Sequence, residues 1–169
     1  EIMPSLVGSE MCIRDRVKMY EFTVPTKKDA VYIAENLKQN NRQEVLAVIG
    51  NNCLTDILRS MDASDMLGCF KYNGKPLAIY GVIPDSIMGN TGIAWLLFRA
   101  EAMQHRQVVG RYTKRGIQAI MAKYECVYNW VNTGNKDIIR WLKWLGAKFK
   151  GPYKHGIYGI EHYYFYFER

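Results

Sequence analysis

One stretch constrains the fold of this chain more than any other: residues 128–149, YNWVNTGNKDIIRWLKWLGAKF. The aromatic and β-branched residues at its start predict a strand over Cys126–Val131. The polar run Asn132–Asn135 is typical of a turn, in which Thr133 or Asn135 can cap a following helix. This order of signals predicts a strand that leads through a tight turn into a helix.

The helix is predicted over Lys136–Leu145, because its apolar residues recur at the i, i+3, i+4, i+7 spacing of one helical face. Those residues are Ile138, Trp141, Leu142 and Leu145. Gly146 suits the left-handed position that follows a helix, and Ala147–Phe149 begins another strand. Each local signal agrees with its neighbours, which favours a single well-specified unit.

The residues nearer the amino terminus predict several short helices. Thr26 and Asp29 have the spacing of a capping box, and the helix after them would place Val31, Ala34 and Leu37 on one face. Two further helices are predicted over Gln43–Ile49 and Cys53–Met61. A longer helix is expected over Gln107–Tyr124, and residues 100–107 can be either a short helix or a loop.

The predicted strands alternate with turn signals. They are Tyr20–Val24, Asp65–Tyr72, Leu77–Ile83, Gly92–Phe98 and His162–Phe167. Asn73-Gly74 is a preferred pair for a two-residue hairpin turn. The apolar run Gly92–Phe98 predicts a strand buried on both faces. The aromatic strand near the end would promote aggregation if it were unpaired, so we expect it to pair within the sheet.

The first 18 residues differ from the rest. Residues 3–16, MPSLVGSEMCIRDR, resemble a translated sequencing-adaptor artefact, and they lack the apolar core and cleavage site of a secretory signal. We therefore expect residues 1–18 to be a non-native leader, Met19 to be the native start, and residues 19–169 to form one domain.

Composition narrows the class of partner. The net charge of +7 allows a basic face that attracts phosphates or nucleic acid, with a solvated surface as the alternative. The 12 tyrosines lie mainly in predicted strands, where packing explains them, so we do not expect direct nucleic-acid binding. No apolar run approaches the ~20 residues of a membrane helix, so no membrane partner is expected.

The four cysteines form no Cys-x-x-Cys pair, which favours a reducing cytoplasm. The three histidines are scattered along the sequence, so no metal site is predicted.

The unit at residues 128–149 resembles the end of the acetyl-CoA-binding core of GNAT-fold N-acyltransferases, which runs strand, Asn, helix, Leu-Gly-Phe. Asn135, Ile138, Leu145 and Gly146 fall at matching spacings. With Tyr128-Asn129, the segment Trp141–Gly146 also resembles small GNAT-like proteins of short-tailed bacteriophages, in their internal-virion or virion-assembly protein family.

The resemblance implies an α/β (α+β) fold with a mixed, mostly antiparallel sheet of six or seven strands and helices on both faces. In such a fold the strands Gly92–Phe98 and Cys126–Val131 would be parallel and splayed to form an acyl-CoA cleft. The last two strands would form a hairpin.

The resemblance also implies acetyl-CoA or another acyl-CoA as the cofactor. In GNAT folds the central strand, here Gly92–Phe98, lies beside the acyl group and the thioester. The pyrophosphate is held by a loop of pattern Gln/Arg-x-x-Gly-x-Gly/Ala, whose best match is residues 107–112, with Tyr112 in place of the last small residue. The implied cofactor-binding residues are Leu97, Phe98, Arg106, Gln107, Gly110, Arg111, Asn132 and Asn135. The alternatives are an ordinary helical turn at residues 107–112, and turn formation and capping by the two asparagines.

The catalytic residues stay unassigned. GNAT enzymes often place a proton-donating Tyr seven residues after the Asn of the last helix, and that position is Leu142 here. Possible substitutes are Tyr128, Tyr153 and Tyr158, and possible bases are Asp85, Glu101 and Glu161, none of which a motif marks. Loss of a general acid typically costs ~10²–10⁴-fold in rate, so slow transfer would still be possible.

Two functions follow from the resemblance. The first is a phage-encoded, acyl-CoA-dependent N-acyltransferase with degenerate catalytic features, which would modify a host protein or a small amine. The second is a non-catalytic internal-virion or virion-assembly protein that acts through contacts with a host or virion protein. Either would act in the host bacterial cytoplasm, and the second also in the virion.

Overall fold

A computed structural model describes residues 19–37, 53–85 and 89–169. The elements within these ranges are β1 (Tyr20–Thr23), α1 (Lys27–Glu35), α2 (Cys53–Ala63), β2 (Met66–Tyr72), β3 (Lys75–Pro84), β4 (Thr91–Phe98), a 3-10 helix (Ala100–His105), α3 (Arg106–Lys123), β5 (Cys126–Asn132), α4 (Lys136–Leu145), β6 (Lys148–His155) and β7 (Ile160–Glu168). The expected leader, residues 1–18, and the helix expected over Gln43–Ile49 lie outside the described residues.

The strands form one seven-stranded sheet in the order β1-β2-β3-β4-β5-β7-β6. The pairing of β4 with β5 is parallel, and the other neighbouring pairs are antiparallel. The mixed, mostly antiparallel sheet is therefore confirmed. The aromatic strand β7 lies between β5 and β6, so its backbone is paired on both sides, as expected.

The two faces of the sheet carry different helices. On one face, α1 and α2 pack on the middle strands through a cluster that includes Ala30, Ile33, Ile57, Cys69 and Ile79. On the other face, α3 and α4 pack through two clusters that contain Val109, Ile120, Leu142 and Leu145. Helices thus cover both faces of the sheet, which confirms the predicted fold class.

Local signals in the sequence account for the ends of several elements. Thr26 and Asp29 form the predicted capping box at the start of α1. Asn73 and Gly74 both have positive φ, as the two-residue turn between β2 and β3 requires. Gly146 ends α4 with a φ of 98°, where any other residue would strain the backbone.

Two sequence-based expectations were wrong. Val31 does not lie on the buried face of α1, because its side chain is 38% exposed while Ala30, Ile33 and Ala34 form that face. The strand β4 is not buried on both faces, since most of its residues are only half-buried. Local periodicity shows which residues are apolar, but it does not show which other elements cover them. The exposure of Val31 and of β4 could therefore not be predicted from it.

No helix in the described part of the chain is both long enough and apolar enough to cross a lipid bilayer.

Candidate functional site

The candidate site lies where β4 and β5 separate. These parallel strands pair at only three positions: Thr91 with Cys126, Gly92 with Val127, and Ile93 with Tyr128. Beyond them, β4 continues to pair with β3 and β5 continues to pair with β7. The predicted parallel pair is therefore confirmed, and it opens into a gap, called here the β4–β5 gap.

Asn129 lies at the start of the β4–β5 gap. Its side-chain amide nitrogen donates a hydrogen bond to the carbonyl oxygen of Ala94 at 2.8 Å, and its side-chain oxygen accepts one from the backbone N–H of Trp130 at 2.7 Å. The side chain thus replaces the backbone ladder where the strands part. Sequence reasoning did not assign Asn129 a role, although an amide in the middle of the apolar and aromatic strand β5 was a visible signal.

Phe98, at the end of β4, contacts Trp141 of α4 on the helix side of the sheet. Their ring centroids are 5.3 Å apart and the rings meet edge to face, with an interplanar angle of 74°. Phe98 is only 7% exposed, and Trp141 packs against both clusters on this face of the sheet. Leu97 packs instead against the cluster under α1 and α2. Of the two cofactor residues expected on β4, only Phe98 therefore faces α3 and α4.

A small cavity lies beside Phe98 on the side of β1 to β3, and no residue of β5 or α4 lines it. This cavity of about 30 Å³ lies between the sheet and α3, lined in part by Leu96, Phe98, Val109 and Tyr112. That volume holds about one or two water molecules. Ligand pockets for small molecules usually enclose roughly 300–1,000 Å³.

The stretch expected to hold pyrophosphate lies inside a helix. Residues 107–112 occupy the first two turns of α3, and the 3-10 helix Ala100–His105 leads directly into α3. In an α-helix each N–H from the fifth residue onward bonds to the carbonyl four residues earlier, so the N–H groups from Gly110 onward are used within the helix. This placement matches the alternative interpretation of an ordinary helical turn.

Two of the expected cofactor residues, Gln107 and Arg111, line an open groove of about 380 Å³ between α3 and α4, together with Lys114, Arg115, Gln118 and Trp144. We call it the α3 groove. Gly110 lies under the indole of Trp144, since a Cβ on this glycine would be 3.4 Å from the ring. The ammonium nitrogen of Lys114 lies 5.9 Å from the centre of the same ring. Arg106 is exposed at the start of α3 and does not line the groove.

The two asparagines after β5 shape the turn into α4. The side-chain oxygen of Asn132 accepts a hydrogen bond from the N–H of Gly134 at 2.8 Å. Asn135 is 7% exposed at the N-cap position of α4, and its side chain makes no capping hydrogen bond to the helix. Because β4 and β5 are parallel, both asparagines lie at the same sheet edge as Phe98 and the start of α3.

The side chains that could move protons lie elsewhere. Leu142 is 6% exposed in the core under α4. The hydroxyl of Tyr128 donates to Asp85 at 2.9 Å, and burial together with that carboxylate raises the pKa of Tyr128 to about 12. Register places Tyr128 in line with Trp130, on the face away from α3 and α4. Tyr158 is 69% exposed in the turn before β7.

The carboxylates expected as general bases either have hydrogen-bond or ion-pair partners or are exposed to solvent. Asp85 also accepts a hydrogen bond from the hydroxyl of Thr91 at 3.0 Å, and Glu101 forms an ion pair with Arg99 at 2.5 Å. Glu161 is exposed on β7. The described residues contain no group of three or more His, Cys, Asp or Glu side chains that could hold a metal ion.

Comparison with known families gives one match. The family model described as "Bacteriophage T7, probable scaffold protein Gp13" matches residues 68–154, which is just over half of the chain. The matched segment runs from β2 to β6 and so contains the β4–β5 gap and the α3 groove. Among curated proteins, no sequence matches this chain significantly.

Solved structures of GNAT acetyltransferases share the fold. A GNAT-family acetyltransferase from Bacillus anthracis has a TM-score of 0.65 at 11% identity, covering 89% of this chain and 95% of its own. The spermidine N-acetyltransferase from Vibrio cholerae in complex with CoA and spermine has a TM-score of 0.64 at 11% identity, covering 89% and 96%. The microcin C7 self-immunity acetyltransferase in complex with acetyl-CoA and AMP has a TM-score of 0.66 at 15% identity, covering 89% and 93%. At these identities the likeness establishes the fold alone.

Proposed function

Since this chain belongs to the bacteriophage family of the T7 probable scaffold protein, we propose that it is a non-catalytic, GNAT-fold protein of virion assembly that acts through protein contacts. The observation that carries the proposal is the contact between Phe98, which lies beyond the last β4–β5 pair, and Trp141 of α4. We infer that these two rings close the β4–β5 gap. In the GNAT fold this gap receives the reactive end of the acyl-CoA. A packed aromatic pair in the same place serves stability rather than transfer.

Opening the gap for a thioester would be costly. The ligand would have to displace the indole of Trp141 from Phe98 and from the clusters that it joins. An aromatic pair contributes ~0.5–1.5 kcal/mol beyond its buried area, and uncovering the buried area of the rings adds to that cost.

The chemistry around the gap supports the same conclusion. Acyl transfer needs a group that accepts a proton from the amine and one that protonates the leaving thiolate. Leu142 occupies the position of the proton donor, and the hydroxyl of Tyr128 is held by Asp85 on the opposite face of the sheet. Burial and the neighbouring carboxylate raise the pKa of that hydroxyl, which makes it a poorer acid.

The proposal places the protein in the cytoplasm of the host bacterium during assembly, and in the virion if it stays bound. Its partner would be a virion or host protein. A sheet with packed helices on both faces gives such a protein a rigid scaffold on which contact surfaces can be presented.

Calorimetric titration of the full chain with acetyl-CoA tests the proposal. We expect no binding heat up to millimolar ligand, while an acyl-CoA-binding acetyltransferase titrated in parallel gives a saturable signal. Saturable binding to this chain would contradict the filled gap. The second half of the test is particle assembly in cells that make the structural proteins of the cognate phage. We expect fewer complete particles when this chain is omitted, and an unchanged yield would contradict an assembly role.

A second function, an acyl-CoA-dependent N-acyltransferase, is favoured by one observation: β4 and β5 pair at three positions and then part. Solved structures with this fold hold acetyl-CoA or CoA. Its cofactor would be acetyl-CoA or another acyl-CoA, its acceptor a host protein or a small amine. The residues proposed to bind the cofactor remain Leu97, Phe98, Arg106, Gln107, Gly110, Arg111, Asn132 and Asn135.

Release of free thiol from acetyl-CoA in the presence of candidate amines tests this second function. Turnover that depends on both the amine and the full chain would support it. Binding without thiol release would leave a CoA-binding protein and would contradict transfer.

A further inference from the structure

The α3 groove has an unusual balance of charge. The 18 residues of α3 include five Lys or Arg and no Asp or Glu. Three of these cations, Arg111, Lys114 and Arg115, line the groove, and none of them forms an ion pair with a carboxylate in the described part of the chain. Lys123, outside the groove, is paired with Asp65 at 2.7 Å. The groove therefore concentrates positive charge that no carboxylate among the described residues compensates by an ion pair.

The cations and amides of the groove follow one stripe of the helix. Gln107, Arg111, Lys114 and Gln118 are spaced i, i+4, i+7 and i+11, which places them on a single face of α3. Their Cα atoms extend over ~16 Å at the helical rise per residue. A stripe of this length matches about three turns of a second helix laid along α3.

One exposed aromatic side chain borders this stripe. Trp144 is 58% exposed, although it is a large apolar residue on a helix whose other face is well buried. It rests over Gly110, and Lys114 lies against its ring. Tryptophan and arginine are the residues that most often dominate binding energy at protein interfaces. An exposed indole beside unpaired cations suits a partner that offers both an apolar anchor and carboxylates.

We propose that the α3 groove binds an acidic amphipathic helix of a partner protein, with Glu or Asp facing Arg111, Lys114 and Arg115 and an apolar side chain packed on Trp144. This inference rests on the proposed assembly function and assigns its contact surface. Charge complementarity selects an acidic partner, since a basic or neutral helix would leave the cations unpaired.

Nucleic acid fits the groove less well. Proteins that hold single strands combine a cationic track with several aromatic side chains on which successive bases stack. The α3 groove has one indole, and Gln107 and Gln118 mark its two ends. A protein helix fits this surface better than a nucleic acid does. Recognition of a helix in a groove requires one apolar anchor and a few charge pairs, which the α3 groove can provide.

Fluorescence anisotropy with a defined probe tests the inference on the full chain. The probe is a fluorescein-labelled, Ala-rich helical peptide of about 15 residues, with Glu at i, i+4 and i+7 and Leu beside them. A matched peptide carries Gln in place of each Glu. We expect the Glu peptide to bind about tenfold more tightly than the Gln peptide at low salt, and this preference to shrink as salt is raised.

Variants locate the binding surface. Trp144→Ala should weaken binding of the Glu peptide by about tenfold, and Arg111→Gln and Arg115→Gln by about threefold each. Lys28→Gln is the matched control, because Lys28 is an exposed cation on α1, on the opposite face of the sheet. It should leave the affinity unchanged. Circular dichroism of each variant confirms that it is folded.

Several results would overturn the inference. These are equal affinity for the Glu and Gln peptides, equal losses in Arg111→Gln and Lys28→Gln, tighter binding of single-stranded oligo-dT than of the Glu peptide, and displacement of the peptide by acetyl-CoA. The first three leave the assembly function untouched, since that is tested by particle yield. An unchanged particle yield contradicts the assembly function even if the peptide binds the groove.

Discussion

The indole of Trp141 meets the ring of Phe98 edge to face, with 5.3 Å between the ring centroids, beyond Ile93, the last β4 residue that pairs with β5. Trp141 comes from α4 and Phe98 from β4, so the contact ties the last helix to the central strand. Trp141 also packs against both clusters on this face of the sheet. The pair therefore links the end of β4 to α4 in the region where β4 and β5 no longer pair.

A double-mutant cycle should measure this contact. Phe98→Ala removes a ring that is 7% exposed and should cost ~3–5 kcal/mol of unfolding free energy. Trp141→Ala should also destabilise, and the two losses should be coupled by ~0.5–1.5 kcal/mol, because one edge-to-face pair is counted in both. Urea unfolding of the two single variants and the double variant gives the coupling.

Trp144→Ala is the matched control for that cycle. Trp144 lies on the same helix but is 58% exposed, so its loss should change the unfolding free energy by no more than ~0.5 kcal/mol. Additive losses at Phe98 and Trp141 would mean that the rings do not support each other.

The local unit at residues 128–149 was predictable because its signals are near neighbours in sequence. Strand, turn, helix and the left-handed Gly146 each depend on residues within a few positions, and all of them agree. The burial of β4 was not predictable in the same way. Which of its residues are covered depends on α1, α2, α3 and α4, which approach from both sides and from distant parts of the chain.

The candidate site was predictable in outline and not in detail. The resemblance implied that the strands Gly92–Phe98 and Cys126–Val131 are parallel, and their pairing is parallel. The sequence did not indicate that Trp141 contacts Phe98, because these residues are 43 positions apart and helical periodicity predicts only that Trp141 lies on the apolar face of its helix. The cofactor role of the predicted residues stays a prediction.

Placing a tyrosine at Leu142 tests whether this position can donate a proton. Leu142 is 6% exposed and packed in the core, so Leu142→Tyr adds volume and a hydroxyl where neither fits. We expect a loss of ~1–3 kcal/mol in unfolding free energy and no gain in thiol release from acetyl-CoA. Leu142→Met, which nearly conserves volume, should cost less than ~1.5 kcal/mol. A folded Tyr variant with measurable turnover would instead favour the transferase.

Asp29 should make stability sensitive to acid. Burial raises its pKa, but hydrogen bonds from Thr26 and the ion pair with Lys71 at 2.9 Å outweigh burial and hold the pKa below its usual value. A carboxyl with a lowered pKa in the folded state stabilises above its unfolded pKa, and this contribution is lost as pH falls below about 4.

Asp29→Asn removes the charge and leaves Lys71 without its partner, so it should cost ~2–4 kcal/mol at neutral pH. Its unfolding free energy should also fall less steeply below about pH 4 than that of the wild type. Chemical unfolding across this range checks both. An equally steep acid dependence would mean that Asp29 does not carry it.

His155 should add a second dependence on pH near neutrality. Its ring stacks on Trp130 with 4.2 Å between centroids, and burial, together with His162, lowers its pKa. The unfolded chain then takes up a proton before the folded one, so stability is complete above about pH 6.5 and declines as pH falls below it. His155→Gln should flatten that decline between about pH 7.5 and 5.5. His105→Gln, on the 3-10 helix, should retain it, and a decline unchanged in His155→Gln would point to other groups.

Two glycines should respond in opposite ways to the same substitution. Gly146 has a φ of 98°, while Gly116 lies inside α3 without a positive φ, and an added Cβ meets nothing within 4 Å at either position. The space for an added Cβ is therefore equal at the two positions, and the backbone conformation alone determines whether alanine stabilises or destabilises the protein. Gly146→Ala must hold alanine in the left-handed region and should destabilise by ~1–2 kcal/mol. Gly116→Ala lies in a helix interior, lowers the conformational entropy of the unfolded chain, and should stabilise the protein by ~0.5–1 kcal/mol.

Thermal and urea unfolding of both variants measure the difference in unfolding free energy. Equal shifts would show that Gly146 does not end α4 in a left-handed conformation in solution.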